Sequence, residues 1–182
     1  MDLMEAIKER RSVRKFKPDP VSDELLNSVL EAGRWAPSWA NTQCWRFVVV
    51  RDVEIKARLA EIKGKGNPAG EAIRNAPVTI AICGMLKQSG YYKGEAPTEK
   101  GDWYMFDTAL AAQNMMLAAH SLGLGTVPVG LFDAAKAAQI LGVPSNIAVV
   151  LFLPMGYPEE QPTAPRRKEL SEIVSRDRYG QN

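Results

Sequence analysis

Two clusters of basic residues stand near opposite ends of this chain: Arg10, Arg11 and Arg14 around Ser12, and Arg166, Arg167 and Lys168 in the C-terminal segment. Guanidinium groups are planar, multidentate donors that match phosphate oxygens, and a serine hydroxyl adds another donor. Two such clusters brought together would make a phosphate site. The first cluster also has a plainer reading, because cations at the end of a helix oppose the negative end of its macrodipole. Spacing alone leaves both readings open. Gly123, Gly125 and Gly130 in GLGTVPVG form neither a GxGxxG turn after a strand nor a Walker A loop, so a Rossmann site or a P-loop is unsupported. They read either as a helix C-cap followed by a tight turn or as a loop that brings bare backbone N–H groups to a planar ligand. Trp39 and Trp103 are the aromatic candidates for lining a substrate pocket, with dimer core as the competing reading.

Other chemistry is poorly supplied. His120 is the single histidine, and Cys44 and Cys83 form no CxxC pair, which leaves too few ligands for a Cys/His zinc site. A histidine-dependent triad has one candidate base. His120, near a helix end, reads as a surface residue or a partner of a backbone carbonyl; the cysteines read as packing residues beside apolar strands. The 23 Lys+Arg against 21 Asp+Glu leave a charge of +2, which argues against a dedicated nucleic-acid binder. If the chain is an enzyme, its reactive atoms belong to something it binds.

The elements that must hold these residues follow from periodicity. The 182 residues suit a single domain. Leu3, Met4 and Ile7 fall at helical spacing, with the basic cluster at the helix end. Ser22 is an N-cap for a helix carrying Leu25, Leu26, Val29, Leu30 and Gly33, which ends before Pro37. APSWANTQC is a loop, WRFVVVR a buried strand, 53–63 a helix, GKGNPAG a flexible break and VTIAICG a second buried strand. Residues 86–102 read as a mobile loop, and 106–122, apolar on nearly every side, as a central core helix. Asp133 caps a short helix stopped by Gly142, and 147–153 is a third strand. The proline-rich segment after it is expected to cross a partner subunit, with 170–174 regaining regular structure there. Strands interleaved with helices give an α+β or α/β expectation. No stretch of about 18 apolar residues predicts a membrane helix, and the charged start MDLMEAIKER has no signal-peptide core. A reduced, cytoplasmic setting is expected.

RRSVRKF, APSWANTQCWRFVVV, AAHSLGLGTVPVGLF and PRRKELSEIV occur in the order found in the nitroreductase family of FMN-dependent oxidoreductases, which the chain resembles over nearly its whole length. The resemblance implies a three-layer α+β fold, a central, mainly antiparallel sheet flanked by helices, in an intertwined homodimer. Residues 1–182 would form one FMN-binding domain, with 155–182 an extension crossing the partner. Arg10, Arg11 and Ser12 would face the phosphate and ribityl chain of FMN, and Arg14 the pyrimidine end. Pro37, Ser38, Asn41 and Gln43 match the APSxxNxQ loop, which serves the flavin pocket of the other subunit. Val129, Gly130 and Leu131 would run along the flavin, with the Gly130 N–H near N5. Arg166 and Arg167 match the tail pair at the phosphate, with Lys168 the alternative in a shifted register. Asn67 and Arg74 are the candidates for an asparagine and a base at the pyrimidine. Cys44 stands where many relatives have proline, Val127–Pro128 where Cys–Trp is frequent, and Gly130 where some larger members carry an acid. The activity implied is ping-pong hydride transfer from NADH or NADPH through flavin N5 to a small-molecule acceptor such as a nitroaromatic or quinone. Reductive dehalogenation, flavin destruction or non-catalytic flavin binding are the alternatives on the same scaffold. No catalytic side chain and no metal are expected.

Overall fold

The computed structural model describes residues 1–181. Four strands form one antiparallel sheet in the order β1-β2-β4-β3, from Trp45–Val50 (β1), Val78–Met85 (β2), Gly125–Thr126 (β3) and Ile147–Gly156 (β4). β2 is central and buried, and its alternation divides the core. Val78, Ile80 and Ile82 pack with Leu26 and Val29 of α2 (Asp23–Arg34) and Met115 and Ala119 of α5 (Tyr104–Ser121). Ala81 and Cys83 face the opposite layer, with Leu59 of α3 (Val53–Glu61), Ile73 of α4 (Gly70–Asn75) and Ala137 of α6 (Ala134–Leu141). Each large apolar side chain so buried contributes about 1.5–3 kcal/mol. The result is the three-layer α+β arrangement, a sheet between two helical layers.

Local signals act where expected. The Ser22 hydroxyl accepts the Leu25 N–H (3.3 Å), and the Asp133 carboxylate accepts the Lys136 N–H (3.0 Å). Gly142 ends α6 in the left-handed region, φ 66°. Several boundaries differ. α1 (Leu3–Glu9) stops before Arg10, so Arg11 and Arg14 lie outside it, and its Leu3, Met4 and Ile7 are exposed rather than packed. α3 ends at Glu61, because Lys63 instead pairs with Phe132. α4 begins at Gly70, the last residue of the GKGNPAG break, and β3 arises inside the glycine-punctuated stretch that reads as a turn. α5 buries Asp107, Ala111 and Met115, yet leaves Met105 and Phe106 half exposed.

The segment 86–102 is anchored rather than mobile throughout. Ser89 is fully buried, its carbonyl accepts the Trp103 N–H (3.0 Å), and the Asp102 carboxylate accepts the Lys87 N–H (2.6 Å). At the other end, β4 runs through Gly156, and the Lys17 N–H donates to Tyr157 and the Glu159 N–H to Lys15. The chain stays paired with the segment after α1 through Glu159 and Glu160, and Ala164, Pro165 and Arg167 still lie beside Ile7, Lys8 and Arg11. Residues 163–181 are exposed, with a single helical turn, α7 (Leu170–Ile173). Among the described residues no helix is long and apolar enough to cross a membrane.

Candidate functional site

The first half of the site is built on a seam between the segment after α1 and β3. Ser12 pairs with Thr126, and the Val13 N–H donates to the Thr126 carbonyl (2.9 Å). This seam fixes the direction of Arg10 and Arg11, both half-buried. Arg11 follows the plainer reading: its Nη1 donates to the carbonyls of Lys8 (2.6 Å) and Arg10 (2.8 Å), closing the end of α1. Arg10 does not. Its Nη1 is buried with no hydrogen-bond partner. Burial lowers its pKa, and the neighbouring charges of Arg11 and then Arg167 lower it further. Arg167 lines a small cavity with Arg11, Ile7 and Lys8 and so stands at the N-terminal cluster, and among the described residues none of these three guanidinium groups forms a salt bridge. Cations that converge without salt-bridge partners around an orphaned buried donor fit an oxyanion such as phosphate. Arg166 is exposed on the same tail, without a contact that brings it into the cluster.

Next to this seam lies a cavity of ≈ 340 Å³ whose lining includes Arg14, Lys65, Asn67, Val129, Gly130 and Leu131. Val129 is pinned to β4 by paired bonds with Phe152 (2.8 and 2.9 Å). The Leu131 carbonyl accepts both the Gly64 N–H (2.8 Å) and Asn67 Nδ2 (3.1 Å). Gly130, between them, faces open space: a Cβ there would meet nothing within 4 Å. The cavity brings together Arg14, Asn67 and the 129–131 stretch. Arg74 is not part of it; Lys65 is the base that stands beside Asn67. Nothing in GKGNPAG singles out Lys65, because its glycines and proline signal only flexibility.

The Pro37–Gln43 loop is held at the other end of α5. Ala40, Asn41 and Gln43 have φ of 46°, 55° and 49°, a left-handed geometry that costs L-residues roughly 1–2 kcal/mol each. What holds it is Asp107, fully buried, whose carboxylate oxygens both accept the Trp39 N–H (3.2 Å). Ser38 Oγ also accepts the Gln43 N–H (2.9 Å). Pro37, Asn41 and Gln43 are exposed, and Ser38 and Trp39 half-buried. Trp103 packs edge-on against Phe106 at 5.2 Å, with the Lys100 ammonium 5.5 Å from its ring centre. A helical rise of about 1.5 Å per residue separates Asp107 from His120, at the far end of α5, by about 20 Å. Sequence reasoning missed Asp107, since an acidic residue in the first turn of a helix has an ordinary dipole explanation.

His120 is neither a surface group nor a partner of a carbonyl. Its Nε2 is buried without a partner, in the wall of an ≈ 810 Å³ cavity shared with Arg10, Arg11, Lys17, the acids Glu9, Glu159 and Glu160, and Gly123–Thr126. Cys83 is a packing residue whose thiol burial pushes up to about 11, whereas the Cys44 thiol, pushed up to about 12 by burial and Asp107, also donates to the Asp107 carboxylate (3.6 Å).

The chain is similar to known proteins over nearly its whole length. The sequence model of the Nitroreductase family matches residues 7–72 and 64–157. A protein of Methanothermobacter thermautotrophicus, provisionally named NADH dehydrogenase/NAD(P)H nitroreductase, is 34% identical over 168 residues, covering 89% of this chain and 80% of its own. Among solved structures, a nitroreductase family protein of Clostridium novyi NT matches with a TM-score of 0.79 at 30% identity, covering 100% of this chain and 96% of its own. The NADPH:FMN oxidoreductase of Vibrio harveyi, solved with NAD+, matches with a TM-score of 0.81 at 29% identity, covering 98% of this chain and 78% of its own. Relatives at 29% identity also include iodotyrosine deiodinase 1 of Sus scrofa, over 95% of this chain and 68% of its own, and a 5,6-dimethylbenzimidazole synthase of Rhodospirillum rubrum, over 88% of this chain and 84% of its own.

Proposed function

Because this chain belongs to the nitroreductase family, we propose that it is an FMN-dependent oxidoreductase that takes electrons from NADH or NADPH and delivers them to a small-molecule acceptor such as a quinone or nitroaromatic. The observation that carries the reading is the group of Arg10, Arg11 and Arg167, adjoining, through the Ser12–Thr126 seam, the cavity lined by Arg14 and Val129–Leu131. A cationic end beside a flat, open wall suits a ligand with a phosphate at one end and a planar ring at the other. The V. harveyi oxidoreductase, whose name includes FMN, adds weight.

In this reading Arg10 and Arg167 hold the phosphate, with Arg166 as a further tail cation, and Ser12 serves the ribityl chain. Bound FMN would supply the redox centre, with hydride exchanged at N5. The chain supplies position and electrostatics. Arg14, Lys65 and Asn67 line the wall where the pyrimidine would lie; a fixed cation there stabilises negative charge developing on the ring. The open backbone at Gly130 leaves room for close approach of a planar group. Pro37, Ser38, Asn41 and Gln43, at the other end of α5, complete the site of a second copy, and Trp39 and Trp103 line the acceptor pocket. The two buried, unpaired thiols suit a reducing, cytoplasmic setting.

The deiodinase and synthase relatives favour a second reading, the same flavin site turned to reductive dehalogenation or flavin breakdown. Purified protein is expected to be yellow, to release FMN on denaturation, and to be bleached by NADH or NADPH in a stopped-flow instrument, with quinone restoring the colour. Protein that takes up no FMN overturns the reading; protein that binds FMN but is reduced by neither nicotinamide is a flavin carrier instead. Turnover of a halogenated phenol, or oxygen-dependent loss of the flavin, in preference to quinone reduction would establish the second reading.

A further inference from the structure

We propose that Asp107 is a positioning residue of this site: one buried carboxylate that fixes the Pro37–Gln43 loop and the arm bearing Trp103 as a unit, and thereby sets both flavin affinity and acceptor binding. The proposal rests on the flavin reading above. Asp107 has no exposed surface and, among the described residues, no salt-bridge partner. Its carboxylate oxygens are instead met by neutral donors from two segments, the 37–44 loop and the 86–102 arm. The Trp39 N–H reaches both oxygens (3.2 Å each), Ser89 Oγ donates to Oδ2 (2.5 Å), and Cys44 Sγ donates to the same oxygen (3.6 Å). A buried carboxylate needs such donors, and each donor is in turn held in place by it.

The arm is tied in by a closed circuit. The Trp103 N–H donates to the Ser89 carbonyl (3.0 Å), and the Asp107 N–H donates to the Trp103 carbonyl (3.0 Å). Trp39 and Trp103 are therefore both held at Asp107, Trp39 by its carboxylate and Trp103 by its backbone N–H and through Ser89. The loop needs that constraint, since Ala40, Asn41 and Gln43 all hold left-handed backbone angles that an untethered loop would relax. Removal of the carboxylate should release the loop, while removal of Ser89 Oγ alone should loosen the arm, still held by its backbone bonds, and leave the loop in place.

The test compares full-length wild type, Asp107→Asn and Ser89→Ala. FMN affinity is read from quenching of flavin fluorescence, and kcat and KM are measured with a quinone. Asparagine keeps the shape but turns an NH2 group toward donors, so it cannot accept from all three. Asp107→Asn should weaken FMN binding about tenfold or more and raise the quinone KM as well. Ser89→Ala should raise the quinone KM by about fivefold and leave FMN affinity at the wild-type value, a split that general destabilisation would not produce. If Asp107→Asn does not fold, the Ser89→Ala split still decides. Wild-type FMN affinity and KM in Asp107→Asn overturn the proposal, even if that variant melts at a lower temperature, because the role is then structural only. Equal weakening of FMN and quinone by Ser89→Ala also overturns it. Failure of the wild type to bind FMN overturns the flavin reading itself, and the positioning role with it.

Discussion

At the scale of single residues, neighbouring arginines of identical type have different tasks. Arg11 spends its guanidinium on the carbonyls at the end of α1, whereas Arg10 keeps a buried, unpartnered Nη1 and feels the charges of Arg11 and Arg167. The cluster is unfavourable by itself, since like charges at close range in a half-buried setting repel. An anion turns that cost into binding. Arg10→Ala should weaken FMN binding by about 1.5–3 kcal/mol, the range for a charge-assisted bond, while riboflavin, which lacks the phosphate, binds as before. The ligand-free variant should melt no lower than wild type, because repulsion with Arg11 and Arg167 has been removed. Equal effects on FMN and riboflavin would assign Arg10 to folding rather than phosphate recognition. Residue types alone announced this cluster, but not the division of labour within it. Lys65 and Asp107 were illegible for a different reason: each lies in a segment with a sufficient local explanation, a glycine-rich break or a helix start, and only tertiary contact gives it a second role.

At the scale of elements, the segments with strong patterns were readable and those made by contact were not. α2, β1 and β2 follow from capping residues, apolar stripes and β-branched runs present in the chain itself. β3 is two residues long and exists because Gly125 lets the backbone approach Val13, placing Ser12 beside Thr126. A Cβ at position 125 would lie 2.8–2.9 Å from the Val13 side-chain atoms. Val13 is buried and β-branched, so it has few rotamers into which to retreat. Gly125→Ala should therefore cost about 1–3 kcal/mol of stability, as overpacking does, measured by urea denaturation of the FMN-free protein. FMN affinity should fall with it, since the same shift moves Ser12 and the two arginines before it. An alanine variant as stable as wild type would mean that the seam is loose and that β3 does not orient the phosphate cluster. The anchored base of 86–102 belongs with β3: its polar, aperiodic composition concealed bonds between Lys87 and Asp102 and between Ser89 and Trp103.

At the scale of the whole molecule, the candidate site is divided between the two ends of α5. Arg10, Ser12 and Thr126 gather near its C-terminus, and the Pro37–Gln43 loop is fastened to Asp107 near its N-terminus, about 20 Å away along the helix. One protomer cannot close both halves around one ligand, but two protomers packed antiparallel along α5 could pair the halves twice. The protein's exposed apolar side chains suit that arrangement: Leu3, Met4 and Ile7 on α1, Met105 and Phe106 on α5, and Leu170 and Ile173 in the outlying tail are 44–73% exposed. So much apolar surface on several separate elements is a mark of an interface. If the site is completed by a second copy, flavin binding and association must be linked, because a ligand that binds only the dimer stabilises it by mass action. Sedimentation equilibrium at micromolar concentration should give a mass twice the 20.0 kDa of the chain, and added FMN should lower the dimer dissociation constant. Dilution should release FMN as monomers form. A chain that stays monomeric while holding FMN with full affinity would show instead that the 37–43 loop has no part in the site, and that its strained backbone is fixed by Asp107 for some other purpose.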